Sequence, residues 1–286
     1  MAKRLRCHIF VSVLANNIVV VGCSIIGDRL KFMRKIIVLI LAVSALAVSA
    51  ADYEALCVKA DRFFEQKEWP SAAAMLDLML DKHPDVAATY GRAIVVAALR
   101  GDTVAEMELM NRSIINYVPF DSTFAAVRSV SFSLGKTSLY EDFLLRTKVS
   151  EPWLGRTVDA YLMRYYTFRR NPVKMVEYSR LMLKGMPDNV EFLSTLACGL
   201  MLDGNAEEAV DTYRRILEID PGNYDALLEI GNYNYLCWRD NNDDRDALSR
   251  ARAALSQAQS IRATPYVSVT LDDIDRAIQN FANKHK

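Results

Sequence analysis

Five prolines constrain this chain more than any other feature. Pro84, Pro119, Pro152, Pro187 and Pro221 follow one another at intervals of 35, 33, 35 and 34 residues, by subtraction of their numbers. Proline ends helices, so an even spacing of this kind stops the same element again and again. A second marker keeps the step: Gly101 and Gly135 are 34 apart, and Gly135 and Gly204 are 69 apart, two periods. Pro70 and Pro172 fall between these stops, 102 apart or three periods, where a second helix starts and proline is tolerated. Scattered prolines would not hold this rhythm. The chain therefore reads as a row of repeating units, each a first helix, a turn, a second helix and a proline stop.

The clearest unit runs from Val190 to Asn223. Leu193, Leu196, Ala197 and Leu200 fall on one helical face. Gly204 and Asn205 break that helix, and Ala209, Tyr213, Ile216 and Leu217 repeat the pattern before Pro221-Gly222. Neither helix can bury its apolar stripe alone. Leu193, Leu196, Ala197, Leu200, Gly204, Ala209, Tyr213, Ile216 and Pro221 together resemble the tetratricopeptide repeat (TPR), a helix–turn–helix unit with a period of about 34 residues. The resemblance implies an all-α fold: a right-handed α-solenoid of about six such repeats, ended by a C-terminal capping helix. It also implies a binding scaffold, not an enzyme.

The expected repeats are 53–86, 87–120, 121–154, 155–189, 190–223 and 224–265. The first is carried by Leu56, Ala60 and Phe63, then Ala72, Leu76 and Met79. The second keeps Tyr90, Ala93, Ile94 and Ala97, and the fourth is recovered through Leu162, Met163, Tyr166, Met175 and Met182. In the third the pattern does not fix the register between Phe124 and Leu134. The sixth begins with Leu227, Ile230 and Gly231, is interrupted by an insertion from Arg239 to Asp246, and resumes at Ala251, Leu255 and Ala258. A last helix, roughly 271–283, is amphipathic through Ile274, Ile278 and Phe281 and suits a cap within the closing segment 266–286. Tyr266 to Val269 is β-branched but too short to found a sheet.

The first fifty residues are of another kind. Arg34 and Lys35 precede an apolar run from Ile36 to Val48 that ends in small residues, the parts of a secretory signal peptide over 33–51. The run is too short to favour a permanent membrane helix. Met33 then marks the expected start, and 1–32 reads as an over-extended amino terminus. A rival reading starts at Met1 and takes Val20-Val21-Gly22-Cys23 as similar to a bacterial lipobox, with Cys23 lipidated; a two-segment anchor is the third. The expected location is periplasmic or secreted. Without residues 1–50 the balance is 35 less 7 basic against 35 less 1 acidic, 28 against 34, a net of about −6. An acidic chain with no basic stripe argues against nucleic acid and anionic lipid.

Catalysis finds little footing. After residue 50 only His83 and His285 remain, the first in a turn and the second next to last. No phosphate-cradling glycine loop occurs, and neither a metal nor a cofactor is expected. In the insertion, Asp240, Asn242, Asp244 and Asp246 alternate like early calcium ligands. Arg245 and Ala251, however, stand where such a loop needs glycine and glutamate, so a solvated loop is the expectation. Cys57, Cys198 and Cys237 are expected as small buried residues without a disulfide. An aromatic and basic cluster holds Trp153, Tyr161, Tyr165, Tyr166 and Phe168 with Arg164, Arg169 and Arg170. One helix face cannot bury them all, so Arg164 and Phe168 are left to meet a ligand.

In proteins this chain resembles, first helices line a concave groove. The matching residues here are Glu54, Asp61, Phe64 and Glu65 in the first repeat and Arg164, Thr167 and Phe168 in the fourth. The fifth gives Glu191, Ser194, Cys198 and Met201, and the sixth Asp225, Asn232 and Tyr235. Of the family's carboxylate clamp only Asn232 has a counterpart, with Leu228 at a clamp position. The implied partner is a protein or peptide, with no nucleic acid and no membrane insertion once the signal is removed. A sugar- or lipid-binding helical protein is the alternative, and exposure of Tyr161, Tyr165 and Phe168 separates the two. A helical-repeat enzyme comes last.

Overall fold

The computed structural model describes residues 53–240 and 244–284. The segments read as signal peptide, lipobox and early start lie outside the described residues, as do Asn242 and His285. All regular structure among the described residues is helical. The helices are α1 (53–65), α2 (Trp69–Lys82), α3 (Ala87–Leu99), α4 (Thr103–Ile115), α5 (Phe120–Ser133) and α6 (Ser138–Ser150). A 3-10 turn, Pro152–Leu154, leads to α7 (Gly155–Arg169), α8 (Pro172–Leu183), α9 (Val190–Leu202) and α10 (Ala206–Ile219). The chain closes with α11 (Tyr224–Asp240), α12 (Arg245–Ile261) and α13 (Pro265–Lys284).

The turns inside the hairpins share one device. Lys67, Gly101, Gly135, Arg170 and Gly204 all have positive φ, between 50° and 85°. Each is followed by a backbone N–H that reaches back five residues, as from Asp102 to the Ala97 carbonyl at 3.0 Å and from Asn205 to the Leu200 carbonyl at 2.9 Å. This left-handed stop satisfies carbonyls that the helix end would leave bare. The prolines stand at the other ends. Pro70 and Pro172 open α2 and α8, and Pro187 and Pro221 lie in the turns after α8 and α10.

The chain divides into two compact units, one ending at Val130 and the other beginning at Ser131. Within the first, bonds join alternate helices. Tyr53 of α1 and Thr89 of α3 share a hydroxyl hydrogen bond of 2.9 Å, and Arg92 of α3 pairs with Asp61 of α1. Arg112 of α4 donates to Asp77 and Asp81 of α2 at 2.9 and 2.7 Å. The spacing of α3 and the segment near Ala126 is tight: a Cβ on Gly91 would lie 2.4 Å from the Ala126 Cβ.

The second unit repeats the arrangement. Arg164 of α7 donates to Glu191 of α9 at 3.0 Å, Arg180 of α8 to Glu208 of α10 at 2.6 Å, and Tyr266 of α13 to Asn232 of α11 at 2.9 Å. These links cross 27, 28 and 34 residues, each joining a helix to its counterpart in the next hairpin. First helices stand beside first helices and second beside second, which is a helical-repeat fold. Exposed ion pairs of this kind stabilise little and serve here as markers of geometry. Stability comes from the interior. Leu193, Tyr213, Ile216 and Ile230 meet in one cluster, and Leu248, Leu255, Val267 and Ile274 in the next, where α13 seals the end. Each such side chain contributes roughly 1.5–3 kcal/mol on burial.

Three expectations are corrected. The insertion is not an eight-residue loop: α11 and α12 extend to 17 residues each, Asp244 caps α12 by accepting from the Ala247 N–H at 2.8 Å, and only 241–243 remain outside the described residues. The last helix begins at Pro265, so the β-branched stretch Tyr266 to Val269 is its first turn. Cys198 is exposed on α9, because its position faces away from the α9–α10 core; Cys57 and Cys237 are half-buried, and all three thiols are free.

Candidate interaction surface

The expected groove residues fall in both units, which are described separately. In the first, Glu54 and Glu65 are exposed on α1 and Asp61 is held by Arg92. Phe64 is half-buried with its ring edge-on to Trp69, centroids 5.4 Å apart.

In the second unit Arg164, Thr167 and Phe168 are exposed on α7. The Thr167 hydroxyl is already committed, donating to the Met163 carbonyl at 2.8 Å. Phe168 is 58 % exposed and rests on the Phe132 ring at 5.1 Å. On α9, Glu191 and Cys198 are exposed while Ser194 and Met201 are half-buried. On α11, Asp225 is exposed 3.7 Å from Arg262, and Asn232 accepts from Tyr266. Tyr235 stacks on Trp238 at 5.7 Å and packs against the α12–α13 core. The structure thus brings Arg164 to Glu191 and Asn232 to Tyr266.

Sequence reasoning missed Tyr266 and Glu229. Tyr266 lies one period after Asn232, which was the available signal. Glu229 approaches Cys198 of α9, and burial, reinforced by Asp225, pushes its carboxyl pKa up.

The aromatic cluster divides between interior and surface. Tyr165 and Tyr166 are 5 % and 4 % exposed, Tyr161 is half-buried, and Trp153 and Phe168 stand out. Tyr166 donates to Glu141 at 2.6 Å. Burial first, then the Glu141 carboxylate, drive its phenol far above the ordinary value. Tyr178 is pushed up to about 12 by burial and then by Asp159. Both phenols stay neutral at physiological pH, and Tyr166 acts as a hydrogen-bond donor. His83, the one histidine among the described residues, packs edge-on against Tyr53 with centroids 4.9 Å apart.

The clefts are shallow features between helices. In the first unit one of about 430 Å³ lies among α2, α3 and α4, floored by Ala93 and Ala97 and rimmed by Asp77 and Arg112. In the second, a polar cleft of about 440 Å³ lies near Lys136, Glu141 and Arg169. No group of three or more metal-ligating side chains is gathered among the described residues. No described helix is long and apolar enough to cross a membrane.

No protein-family model matches the chain, and no curated protein matches its sequence. Among solved structures it is similar to a putative protein binding protein from Bacteroides ovatus, at 19 % identity and a TM-score of 0.45, covering 68 % of this chain and 98 % of that one. It is also similar to the type IV pilus biogenesis factor PilW, at 11 % identity and a TM-score of 0.44, covering 77 % and 98 %. A third is a TPR repeats protein from Bacteroides fragilis, at 13 % identity and a TM-score of 0.36, covering 78 % and 98 %.

Proposed function

We propose that this chain is a non-catalytic scaffold that holds a segment of a partner protein against the exposed sides of its first helices. The observation that carries the reading is the placement of α7, α9 and α11 as neighbours, with Phe168 projecting from α7 while Tyr165 and Tyr166 fold inward. A large aromatic ring left 58 % exposed beside Arg164 is the composition of a binding hot spot. Of the three rings that separate the two readings, Tyr165 packs the interior, Tyr161 is half-buried and Phe168 stands exposed, and one exposed ring speaks for a protein contact over a sugar or lipid platform. Affinity would come from apolar contact and selectivity from the flanking charges.

Export is part of the proposal and rests on the sequence, through the basic start at Arg34 and Lys35 and the apolar run to Val48. Amino-terminal sequencing of the mature product should give a start near Ala51; a retained Met1 or a lipidated Cys23 would overturn it. Affinity capture from the envelope fraction tests the scaffold. Full chain should recover a specific partner that Phe168→Ser loses while its thermal melt is unchanged. Recovery that ignores the substitution, or no recovery at all, contradicts the reading.

A further inference from the structure

In the first unit the cleft of about 430 Å³ among α2, α3 and α4 takes alanine from all three helices: Ala73 and Ala74, Ala93 and Ala97, and Ala105. With Leu109 they make its walls and floor apolar. One end is shut. Arg112 reaches from α4 to Asp77 and Asp81 at 2.9 and 2.7 Å, so a bridge spans the gap between the second helices. The other end lies at Pro70, which opens α2, and at Arg100, which follows α3. From Ala105 to Arg112 the helix rises about 10.5 Å, which sets the length of the slot. A partner helix laid along it would have to pass the bridge. A small molecule would not.

Two charged side chains, Arg100 and Glu108, line the same cleft and are exposed. Among the described residues no ion pair joins either of them to another side chain, nor the two to each other. The remaining charges of the lining, Asp77 and Arg112, are committed to one another. An apolar slot with one free cation and one free anion on its rim is complementary to a zwitterion that carries an apolar tail. A fatty acid would suit Arg100 and be opposed by Glu108, and an alkylamine the reverse. A peptide terminus supplies only one of the two charges.

The repeat architecture does not impose this chemistry. Glu207, Val210, Asp211 and Arg214 stand 137 residues, or about four periods, after Pro70, Ala73, Ala74 and Asp77, by subtraction of their numbers. They line a cleft of about 400 Å³ between α10 and α12 in the second unit. There the alanines are gone, Arg214 pairs with Asp211 at 2.6 Å, and Arg250 donates to Asn234 at 2.9 Å.

We infer that the cleft of the first unit binds a free α-amino acid with a large apolar side chain. The side chain lies on the alanine floor, the carboxylate meets Arg100 and the ammonium meets Glu108. This site is separate from the scaffold reading, which uses first helices of the second unit.

Its test is isothermal titration calorimetry of the full chain. L-phenylalanine and L-leucine should bind at least about tenfold more tightly than glycine, which has both charges and no side chain. N-acetyl-L-phenylalanine and L-phenylalaninamide, each lacking one charge, should bind about tenfold more weakly than L-phenylalanine. Arg100→Gln should weaken L-phenylalanine about tenfold and leave the amide unaffected, and Glu108→Gln should do the same with the N-acetyl form unaffected. Both residues are exposed, so melting curves should not move. Ala74→Trp, at an exposed position of the wall, should block the cleft, whereas Asp211→Trp in the matching cleft should not change binding.

Absence of binding by both amino acids, equal affinity for glycine, or indifference to Arg100→Gln and Glu108→Gln overturns the inference. So does equal or tighter binding of the N-acetyl or amide form, which would assign the cleft to a peptide terminus. A partner captured through Phe168 while L-phenylalanine fails to bind leaves the scaffold standing and removes this inference alone.

Discussion

Glu229 is the carboxylate on the proposed face whose surroundings most oppose its charge. Burial raises its pKa first and Asp225 adds to the rise. An unfolded glutamate titrates near about 4.3, so between that value and the higher folded one the folded chain keeps a proton the unfolded chain has released. The stability this proton supplies is complete below the unfolded pKa and is lost as pH rises through the folded one. Glu229→Gln, neutral throughout, is therefore expected to be more stable than wild type at neutral pH and level with it below pH about 4. Urea midpoints at the two pH values decide it; a wild type more stable at neutral pH would contradict the burial argument. At this scale the sequence was only partly legible. Arg164 and Phe168 could be separated from Tyr165 and Tyr166 because one helix face cannot bury five rings. Glu229 could not be read, since its shift comes first from burial, which the stacking of the helices sets and the residue pattern alone does not.

The hairpin turns show how an element can be hidden by one residue. Glycine occupies the left-handed position at Gly101, Gly135 and Gly204, and there the turn was visible in the chain. Lys67 and Arg170 hold the same conformation at φ 57° and 50°, with a side chain that opposes it. Lys67→Gly is expected to stabilise the first hairpin by about 0.5–1 kcal/mol, read from the shift in denaturant midpoint. A loss of stability would show that the Lys67 side chain contributes more than its strain costs. The third repeat was opaque for a different reason. Thr123, Ser131 and Thr147 are buried polar residues in α5 and α6, at 0 % exposure, where an apolar pattern was sought. Thr147 satisfies its hydroxyl within its own helix, donating to the Phe143 carbonyl at 2.8 Å, so it needs no polar environment. The insertion misled because charged residues suggested a loop, whereas Asp244 makes a cap and Arg239 and Arg245 belong to helix surfaces.

For the whole molecule, the step near 34 residues carried the most information, since it appears both in the prolines and in the bonds between alternate helices. What it could not convey is which exposed side chains repeat with it, because exposure is a property of the stack and not of one unit. In a stacked fold the terminal face must be closed. Deleting residues 265–286 uncovers Leu248, Ala251 and Leu255 and removes Val267 and Ile274 from the core. The thermal midpoint is expected to fall by roughly 10 °C, followed by aggregation; an unchanged melt would mean that α13 is not the cap. The most direct test of the scaffold itself is site-specific photo-crosslinking in the producing cell, with the photoreactive residue at Phe168 or Leu202 and, as controls, at Val173 or Leu181. The account predicts one discrete partner adduct from the first-helix positions and none from the second-helix positions. Adducts from both faces alike, or from the second helices only, would contradict it.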